Sequence, residues 1–147
     1  MKLSTKGRYG ARLMLELALH HGNGLMLLKD ISEHQDISEK YLGHLVPPLK
    51  AAGLVNSSRG AHGGYALAKD PKDINLEEIV SALEGNIALV ECVASPDVCS
   101  RISFCIARDI WEEVAQKIKE TLKGITLQDM VRMHEEKRNS KAFMYSI

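Results

Sequence analysis

The sequence predicts a mostly α-helical fold with a small β-hairpin wing: a winged helix-turn-helix domain followed by a long dimerisation helix. Two short helical segments joined by a tight turn lie in the first third of the chain, and a strand–glycine loop–strand pattern follows them directly. A long helical stripe of apolar residues lies nearer the carboxyl end. A helix-turn-helix followed by a hairpin is the element order of a winged helix, and an uncovered apolar helix favours the pairing of two copies.

The composition is that of a globular domain. The chain has 147 residues, of which 45% are hydrophobic and 26% are charged. None of its apolar runs approaches the length of roughly 20 residues that a membrane-spanning helix needs. Its first residues also lack the apolar core of a signal peptide. These features predict a cytoplasmic protein with no membrane partner. The net charge is zero, but residues 1–75 carry ten Lys/Arg against seven Asp/Glu, which weakly indicates a polyanionic partner.

The first helix is predicted from its cap and its periodicity. Ser4 or Thr5 can cap it, and Tyr9 begins an apolar series that continues at every fourth residue. The stretch "HHGNG" at residues 20–24 contains two glycines, which are typical of a helix end. We therefore expect one helix before the helix-turn-helix begins.

The second and third helices form the predicted helix-turn-helix. The second runs from Leu28 to about Gln35, the turn "QDIS" follows, and Ser38 caps the third helix. The pair Pro47–Pro48 falls inside that third helix. Proline lacks a backbone donor and clashes with the preceding turn, so we predict a kink or break near Val46.

The wing is predicted from two short runs on either side of a glycine-rich loop. Leu54 and Val55 begin one strand, and Tyr65 and Leu67 alternate inward on the other. The loop "RGAHGG" between them is polar and rich in turn residues. This pattern predicts an antiparallel hairpin directly after the helix-turn-helix.

A fourth helix is predicted after the wing. Asn75 is a favourable N-cap, and Glu78 stands three residues later, as in a capping box. The segment that follows carries an apolar face of isoleucine, valine and leucine at helical spacing. Gly85 then ends the helix, and with it the predicted DNA-binding domain.

The third helix and the wing together form a DNA-reading device. A helix fits the major groove, where the edges of the base pairs show distinct donor and acceptor patterns. Arg59, on a glycine-flanked loop, suits the negative potential of a narrow minor groove. Many winged helices bind only protein, and the pattern alone leaves that alternative open. The candidate DNA-binding residues are Ser38, Lys40, Tyr41, Gly43 and His44 in the third helix and Arg59, Gly60, His62, Gly63 and Gly64 in the wing.

The three cysteines of the chain, Cys92, Cys99 and Cys105, lie in one stretch, with six and five residues between them. Reduced thiols grouped in a cytoplasmic protein indicate metal ligation or reactivity rather than disulfides. Zinc sites usually begin with closer cysteine pairs, whereas iron–sulfur clusters accept longer thiolate loops. Three interpretations of the cysteines remain open: an iron–sulfur cluster, three unliganded thiols, or a zinc site, which matches the spacing less well. No nucleophile motif supports a catalytic thiol.

A long amphipathic helix follows the cysteines. Its apolar residues recur at every fourth position in an apolar stripe that consists of Ile106, Ile110, Val114, Ile118 and Leu122. A domain this small cannot cover the stripe alone, whereas a second copy would cover it and would match a two-fold DNA site. A last short helix is predicted to start at Thr126 and Asp129, and the remaining tail is expected to be loose.

These segments divide the chain into four parts. They are a winged helix-turn-helix domain (residues 1–85), a cysteine loop (residues 86–105), the dimerisation helix with the short last helix (residues 106–134) and a tail (residues 135–147).

Four stretches carry a resemblance to a known family. "MKLSTKGRYGARLMLELALH", "ISEHQDISEKYLGHLVPPLKAAGLV", "SSRGAHGGYALAKDP" and "INLEEIVSALEG" are together similar to the Rrf2 family of bacterial transcription regulators. That family includes an iron–sulfur cluster assembly regulator, a nitric-oxide-sensitive repressor and a cysteine-metabolism repressor. The resemblance covers about residues 1–133 and implies a dimeric winged-helix DNA-binding protein. It also implies that Cys92, Cys99 and Cys105 stand where cluster-binding members have their three cysteine ligands, and that Arg59 stands where the family has its DNA-contacting arginine.

Two departures concern the fourth ligand that the resemblance implies. This chain has Arg108 where the cluster assembly regulator has a histidine, and Arg8 where the nitric-oxide-sensitive branch has an acidic residue from the partner's first helix. The first two cysteines are also one residue further apart than in the cluster assembly regulator. The remaining candidates for a fourth ligand are a small molecule, Glu91, Asp109, His20 and His21.

The predicted function is therefore a homodimeric regulator of transcription, expected to be a repressor and not an enzyme. It binds a double-stranded operator, and its affinity depends on an iron–sulfur cluster, with 2Fe–2S favoured over 4Fe–4S. The cluster would report iron supply, cluster demand, redox state or nitric oxide. One alternative is a cluster-free regulator of the same fold, with thiol sensing or control by a partner protein. A small thiol enzyme or metal-binding protein is the alternative from another class.

Overall fold

The computed structural model describes residues 2–146, and the predicted mostly α-helical fold with a β-hairpin wing is confirmed. Short 3-10 helices cover Pro71–Asp73 and Pro96–Val98. The strands are β1 (Val55–Ser58) and β2 (Gly64–Leu67), and the α-helices are α1 (Thr5–Leu19), α2 (Leu28–Gln35), α3 (Glu39–Ala51), α4 (Leu76–Glu84), α5 (Glu91–Ala94), α6 (Ile106–Lys123) and α7 (Leu127–Ser146).

One hydrophobic core joins α1 to α4, the wing and the first turn of α7. Helix α1 lies at its centre and contacts α2, α3, α4, α7 and β2. Its buried side chains Leu13, Met14 and Leu17 occupy successive turns of one face, as the sequence periodicity predicts. The core ends at the cysteine loop, where none of the described side chains is buried.

The helix-turn-helix consists of α2 and α3 and has the predicted bounds. The hydroxyl of Ser38 caps α3 by accepting a hydrogen bond from the Tyr41 amide at 3.1 Å. Asp36, between the two helices, has a left-handed backbone (φ 53°), a conformation that aspartate tolerates better than most residues. This one residue turns the chain sharply enough to place α3 beside α2.

A kink or break was predicted near Val46; helix α3 continues through Pro47–Pro48, so the break is wrong. The prolines leave the carbonyl groups of Gly43 and His44 without intrahelical donors, but both residues are exposed and water can reach them. The opposite face of the helix is buried on both sides of the prolines, and this packing keeps the backbone helical. Gly53 then ends the segment with φ 74°, as predicted.

The wing is an antiparallel pair in which Val55 faces Leu67 and Ser58 faces Gly64. A third segment, not predicted from the sequence, extends this pairing. Met26 and Tyr65 exchange two backbone hydrogen bonds, each 2.8 Å long. The base of the wing is thereby fixed to the loop between α1 and α2, while its tip remains exposed.

Helix α4 has the predicted capping box, in which Asn75 and Glu78 each accept a hydrogen bond from the other's backbone amide at 3.0 Å. Gly85 ends the helix with φ 82°. Helix α4 packs across α1 at two glycines of α1. A Cβ atom on Gly10 would overlap the Leu83 side chain, and one on Gly7 would lie 2.8 Å from Glu84 Oε1.

Helix α7 begins where predicted but is much longer. Thr126 and Asp129 form a reciprocal cap. The Thr126 amide donates to Asp129 Oδ2 at 2.9 Å, and the Asp129 amide donates to Thr126 Oγ1 at 3.1 Å. Hydrogen bonds from the Thr126 backbone and side chain lower the pKa of the Asp129 carboxyl group. The helix then continues to Ser146, which corrects the prediction of a short helix followed by a loose tail. The segment from residue 134 contains neither glycine nor proline, so nothing local ends the helix.

Helix α6 spans the whole predicted apolar stripe, most of which is in contact with solvent. Ile106 is 71% exposed and Ile110 is 50% exposed, and Ala115 is the buried residue of this helix.

Over residues 2–146, no helix combines the length and apolar character needed to cross a bilayer.

We expect Gly10→Ala to lower the free energy of unfolding by about 1–2 kcal/mol. Overpacking typically costs about 1–3 kcal/mol, which exceeds the roughly 1 kcal/mol that alanine gains in helix propensity. The matched control is Gly43→Ala, because a Cβ atom at this exposed helical position meets no atom within 4 Å. That change should stabilise the protein by about 0.5–1 kcal/mol. Urea unfolding at one protein concentration compares the two, and equal effects would contradict the close crossing.

Candidate nucleic-acid interface and cysteine loop

Helix α3, hereafter the reader helix, exposes most of its predicted DNA-binding residues. Ser38, Lys40, Gly43 and His44 all lie on its solvent-facing side, opposite the buried leucines. Tyr41 differs from the others because its ring is half-buried and packs edge-on against Tyr9 of α1, with 5.6 Å between centroids. Packing is thus the contact that the structure gives Tyr41, and the other four side chains form the open surface.

The predicted wing residues divide into an exposed tip and a packed base. Arg59, Gly60 and His62 are exposed at the tip. Gly64 is buried with φ 155°, and a Cβ atom there would lie 2.8 Å from the carbonyl oxygen of Met26. At Gly63 a Cβ atom would overlap backbone atoms of the same turn. These last two glycines therefore close the hairpin, and the tip is the part of the wing that is open to a ligand.

The structure brings further basic and polar residues next to Arg59. A depression of about 400 Å³ between the reader helix and β1 is lined by Lys50, Ser57 and Arg59, among others. Lys50 Nζ donates a hydrogen bond to Ser57 Oγ at 2.6 Å and so connects the reader helix to the wing. A second depression, of about 440 Å³, places Lys29 of α2 beside Arg59.

Sequence reasoning missed Lys29, Lys50 and Ser57 as candidate residues. None stands in a motif, and each reaches the surface around Arg59 only because α2, the reader helix and β1 fold together. The weak excess of basic residues in the first half of the chain was the available signal, and it does not distinguish individual positions.

The cysteine loop presents three half-buried, free thiols. Cys92 lies in α5, Cys99 follows the 3-10 helix Pro96–Val98, and Cys105 is the N-cap residue of α6. The three thiols thus lie on three different elements: two short ones and the start of the long helix α6. In the part of the chain that the structure describes, no three His, Cys, Asp or Glu side chains are grouped closely enough to hold a metal ion.

Arg108 joins α5 to α6. Its Nε donates a hydrogen bond to the carbonyl oxygen of Cys92 at 3.4 Å, and its Nη1 lies 3.0 Å from Glu112 Oε2 and 3.7 Å from Asp109 Oδ1. Its side chain is only 15% exposed. The guanidinium group has no lone pair to offer a metal, so this position contributes charge and hydrogen bonds instead of ligation.

The other candidates for a fourth ligand are not assembled with the thiols. Asp109 is paired with Arg108, and Glu91 is exposed beside Cys92. His20 and His21 follow the carboxyl end of α1, whereas the cysteine loop begins at the amino end of α1, about 22 Å away along the helix. His21 instead lies 4.0 Å from Asp70.

The donor set of the cysteine loop fits an iron–sulfur cluster in kind but not in arrangement. Thiolates are the preferred protein ligands of such clusters. In this structure, however, the thiols lie on separate elements, and Arg108 occupies the junction between two of them. The three thiols are therefore not assembled as a site for a single metal ion among the described residues.

Comparisons with known proteins agree with the fold. A sequence model of the Rrf2 family, described as "Iron-dependent Transcriptional regulator", matches residues 3–133. Protein rrf2 of Nitratidesulfovibrio vulgaris is 42% identical over 132 residues, which cover 90% of this chain and 88% of that protein. The helix-turn-helix-type transcriptional regulator CymR of Bacillus subtilis is 40% identical over 147 residues, the full length of both chains.

Among solved structures, T. potens IscR has 41% sequence identity and a TM-score of 0.78, covering 99% of this chain and 96% of that one. The winged-helix architecture and the regulator relatives lead to the same assignment. The chain is a DNA-binding transcriptional regulator rather than an enzyme, and it belongs to the Rrf2 family.

Proposed function

We propose that this regulator binds a duplex operator as a homodimer in the cytoplasm and represses transcription, with its affinity controlled through the cysteine loop. The observation that carries the proposal is a complete winged helix with an exposed reader helix and an exposed arginine at the tip of the wing. A repressor needs no further activity, because occupancy of the operator itself blocks access to the promoter.

The reader helix enters the major groove, where Ser38, Lys40 and His44 can hydrogen-bond to base edges or phosphates. Gly43 leaves space beside them for close approach of the DNA. Arg59 at the wing tip enters the adjacent minor groove. Lys29 and Lys50, which line the depressions beside Arg59, neutralise backbone phosphates and fix the orientation of the protein on the duplex.

A second copy covers the apolar stripe. Four large apolar side chains of α6 are exposed in one copy: Ile106, Ile110, Trp111 and Val114. Exposed apolar groups of this size on one helix are typical of a subunit interface. Two reader helices related by a two-fold axis then match two half-sites of an operator.

The cysteine loop is the regulatory element, and an iron–sulfur cluster is the group that best matches its three thiolates. The family description names iron dependence, which supports this choice. Cys92, Cys99 and Cys105 would hold the cluster, which supplies electron-transfer and ligand-exchange chemistry when bound. A 2Fe–2S cluster is the favoured type.

Cluster-free thiol sensing is the second candidate function. Two observations favour it: the thiols are not grouped in this structure, and both family positions for a fourth ligand are arginines. CymR of Bacillus subtilis is described as a global cysteine regulator in its solved structure, which matches 90% of this chain at 41% identity. Direct oxidation of one or more of the three thiols would then replace cluster binding as the signal.

We expect Arg59→Ala to weaken operator binding by about 1–3 kcal/mol, the usual cost of losing a specific arginine contact. The fold should persist because the side chain is exposed at the wing tip. Arg138→Ala, at an exposed position of α7, is the charge-matched control and should bind as the parent does. Fluorescence anisotropy titration measures both. Equal affinities for the two variants would remove Arg59 from the interface.

We expect Ile110→Glu to produce a monomer, because a carboxylate buried without a partner costs about 3 kcal/mol or more. Sedimentation velocity compares it with Gln116→Glu, which adds the same charge to an exposed position on another face of α6. A parent protein that is already monomeric at the concentration at which it binds its operator would contradict the dimer.

We expect anaerobically prepared protein to contain iron and acid-labile sulfide and to absorb visible light. Cys105→Ser should lose most of that absorbance and change DNA affinity, since one of three thiolates is removed. Ser103→Ala, in the same loop, is the control that should keep both properties. The cluster proposal fails if the parent carries no iron and the triple cysteine-to-serine variant binds DNA and responds to oxidants as the parent does.

A further inference from the structure

A buried carboxylate connects α1 to the end of α2. Among the described residues, Glu16 is the one charged residue that is buried, with 8% of its surface exposed. Its Oε1 accepts a hydrogen bond from Gln35 Nε2 at 2.7 Å, and its Oε2 lies 3.1 Å from His34 Nδ1. Burying a charge is costly unless hydrogen bonds compensate it, so both partners are needed where they stand.

Arg12, one turn before Glu16, completes the contact from the other side. Its Nε donates a hydrogen bond to Gln35 Oε1 at 2.9 Å, and its Nη2 donates to the main-chain oxygen of Gln35. The amide group of Gln35 therefore uses its acceptor toward Arg12 and its donor toward Glu16. We call these four residues, Arg12, Glu16, His34 and Gln35, the polar clamp.

The polar clamp holds the point from which the reader helix starts. Gln35 is the last residue of α2, Asp36 makes the left-handed turn, and Ser38 caps the reader helix. The Ser32 hydroxyl group also donates a hydrogen bond to the carbonyl oxygen of Ile37 at 2.6 Å within this turn. A shift of Gln35 would therefore be carried through three residues into the first turn of the reader helix.

Arg12 reaches the reader helix by a second route. Its guanidinium carbon lies 5.2 Å from the centroid of the Tyr9 ring, and that ring packs edge-on against Tyr41 of the reader helix. One arginine of α1 thus contacts both the turn before the reader helix and the aromatic pair beneath it. Its planar, forked donor group suits such simultaneous contacts better than a lysine ammonium group does.

We propose that the polar clamp sets the orientation of the reader helix and thereby determines how well the protein distinguishes its operator from other DNA. Arg12, Glu16 and Gln35 act as positioning residues. The proposal rests on the DNA-binding function of the reader helix. Base-edge contacts need correct placement of the reader helix, whereas phosphate contacts from long lysine side chains tolerate small shifts.

The test compares the affinities for two duplexes. The first is the sequence that the parent protein selects in vitro from a randomised duplex pool, and the second is a scrambled duplex of the same composition. Gln35→Glu places a second carboxylate against buried Glu16. We expect it to lower the ratio of the affinity for the selected duplex to that for the scrambled duplex about ten-fold. A change of this size corresponds to a free energy within the range of coupling free energies between residues of one hydrogen-bond network. Affinity for the scrambled duplex should change less than about two-fold.

A compensating exchange distinguishes positioning from general stability. The double substitution Glu16→Gln with Gln35→Glu swaps the amide and the carboxylate, so the hydrogen bond between them and the acceptor for Arg12 Nε are both retained. It should restore most of the ratio. Ile74→Val removes one methylene group from a buried core residue that is not part of the polar clamp, and it is the control for destabilisation alone. It should lower the melting temperature and leave the ratio unchanged.

Arg12→Lys is the second variant, because it keeps the charge but cannot hold both oxygens of Gln35. It keeps the proposal testable if Gln35→Glu does not fold. Ratios equal to that of the parent in every folded clamp variant would overturn the proposal, as would an equal fall in Ile74→Val. A parent that selects no duplex would instead refute the DNA-reading role of the reader helix.

Discussion

The close crossing of α1 and α4 at Gly10 holds together two parts of the molecule with different roles. On one side of the crossing, α1 carries the polar clamp and Tyr9, which support the reader helix. On the other side, α4 leads through Gly85 into the cysteine loop. A Cβ atom at position 10 would overlap the Leu83 side chain, so glycine here lets the two helices pack this closely. Helix α1 thus contacts both α4, which leads into the loop, and the reader helix, and α4 also contacts the reader helix directly.

Glu84 strengthens this connection at the amino end of α1. Its Oε1 accepts hydrogen bonds from the amides of Ser4 and Gly7, at 2.7 and 3.2 Å, and from the Ser4 hydroxyl group. A carboxylate at this end also interacts favourably with the helix dipole. Ser4 or Thr5 was predicted to cap α1; Ser4 takes the N-cap position, but its hydroxyl makes no cap hydrogen bond to the helix and donates to Glu84. The last residue of α4 thus provides what a local cap would otherwise provide.

The features that the sequence predicted depend on neighbours close in the chain. The caps at Ser38 and Asn75, the wing and the periodicity of α6 each involve residues a few positions apart. The features that it did not predict join distant positions. Glu16 meets Gln35 across 19 residues, and Ser4 meets Glu84 across 80. The length of α7 was missed for another reason: residues 134–141 are polar, and the apolar residues 142–145 that follow are consecutive, so there is no apolar period to detect.

The two prolines of the reader helix have a consequence for how it folds. With two intrahelical hydrogen bonds missing from 13 residues, this segment has little tendency to form a helix by itself. Its helicity comes from Leu42, Leu45 and Leu49, which are buried against the rest of the domain. The reader helix therefore cannot remain folded when the core opens, and local unfolding of the DNA-reading surface becomes part of the global unfolding event. Because the reader helix is ordered whenever the core is folded, its surface has its final shape before DNA binds. The conformational entropy lost in ordering this helix is therefore part of folding and does not reduce the affinity for DNA.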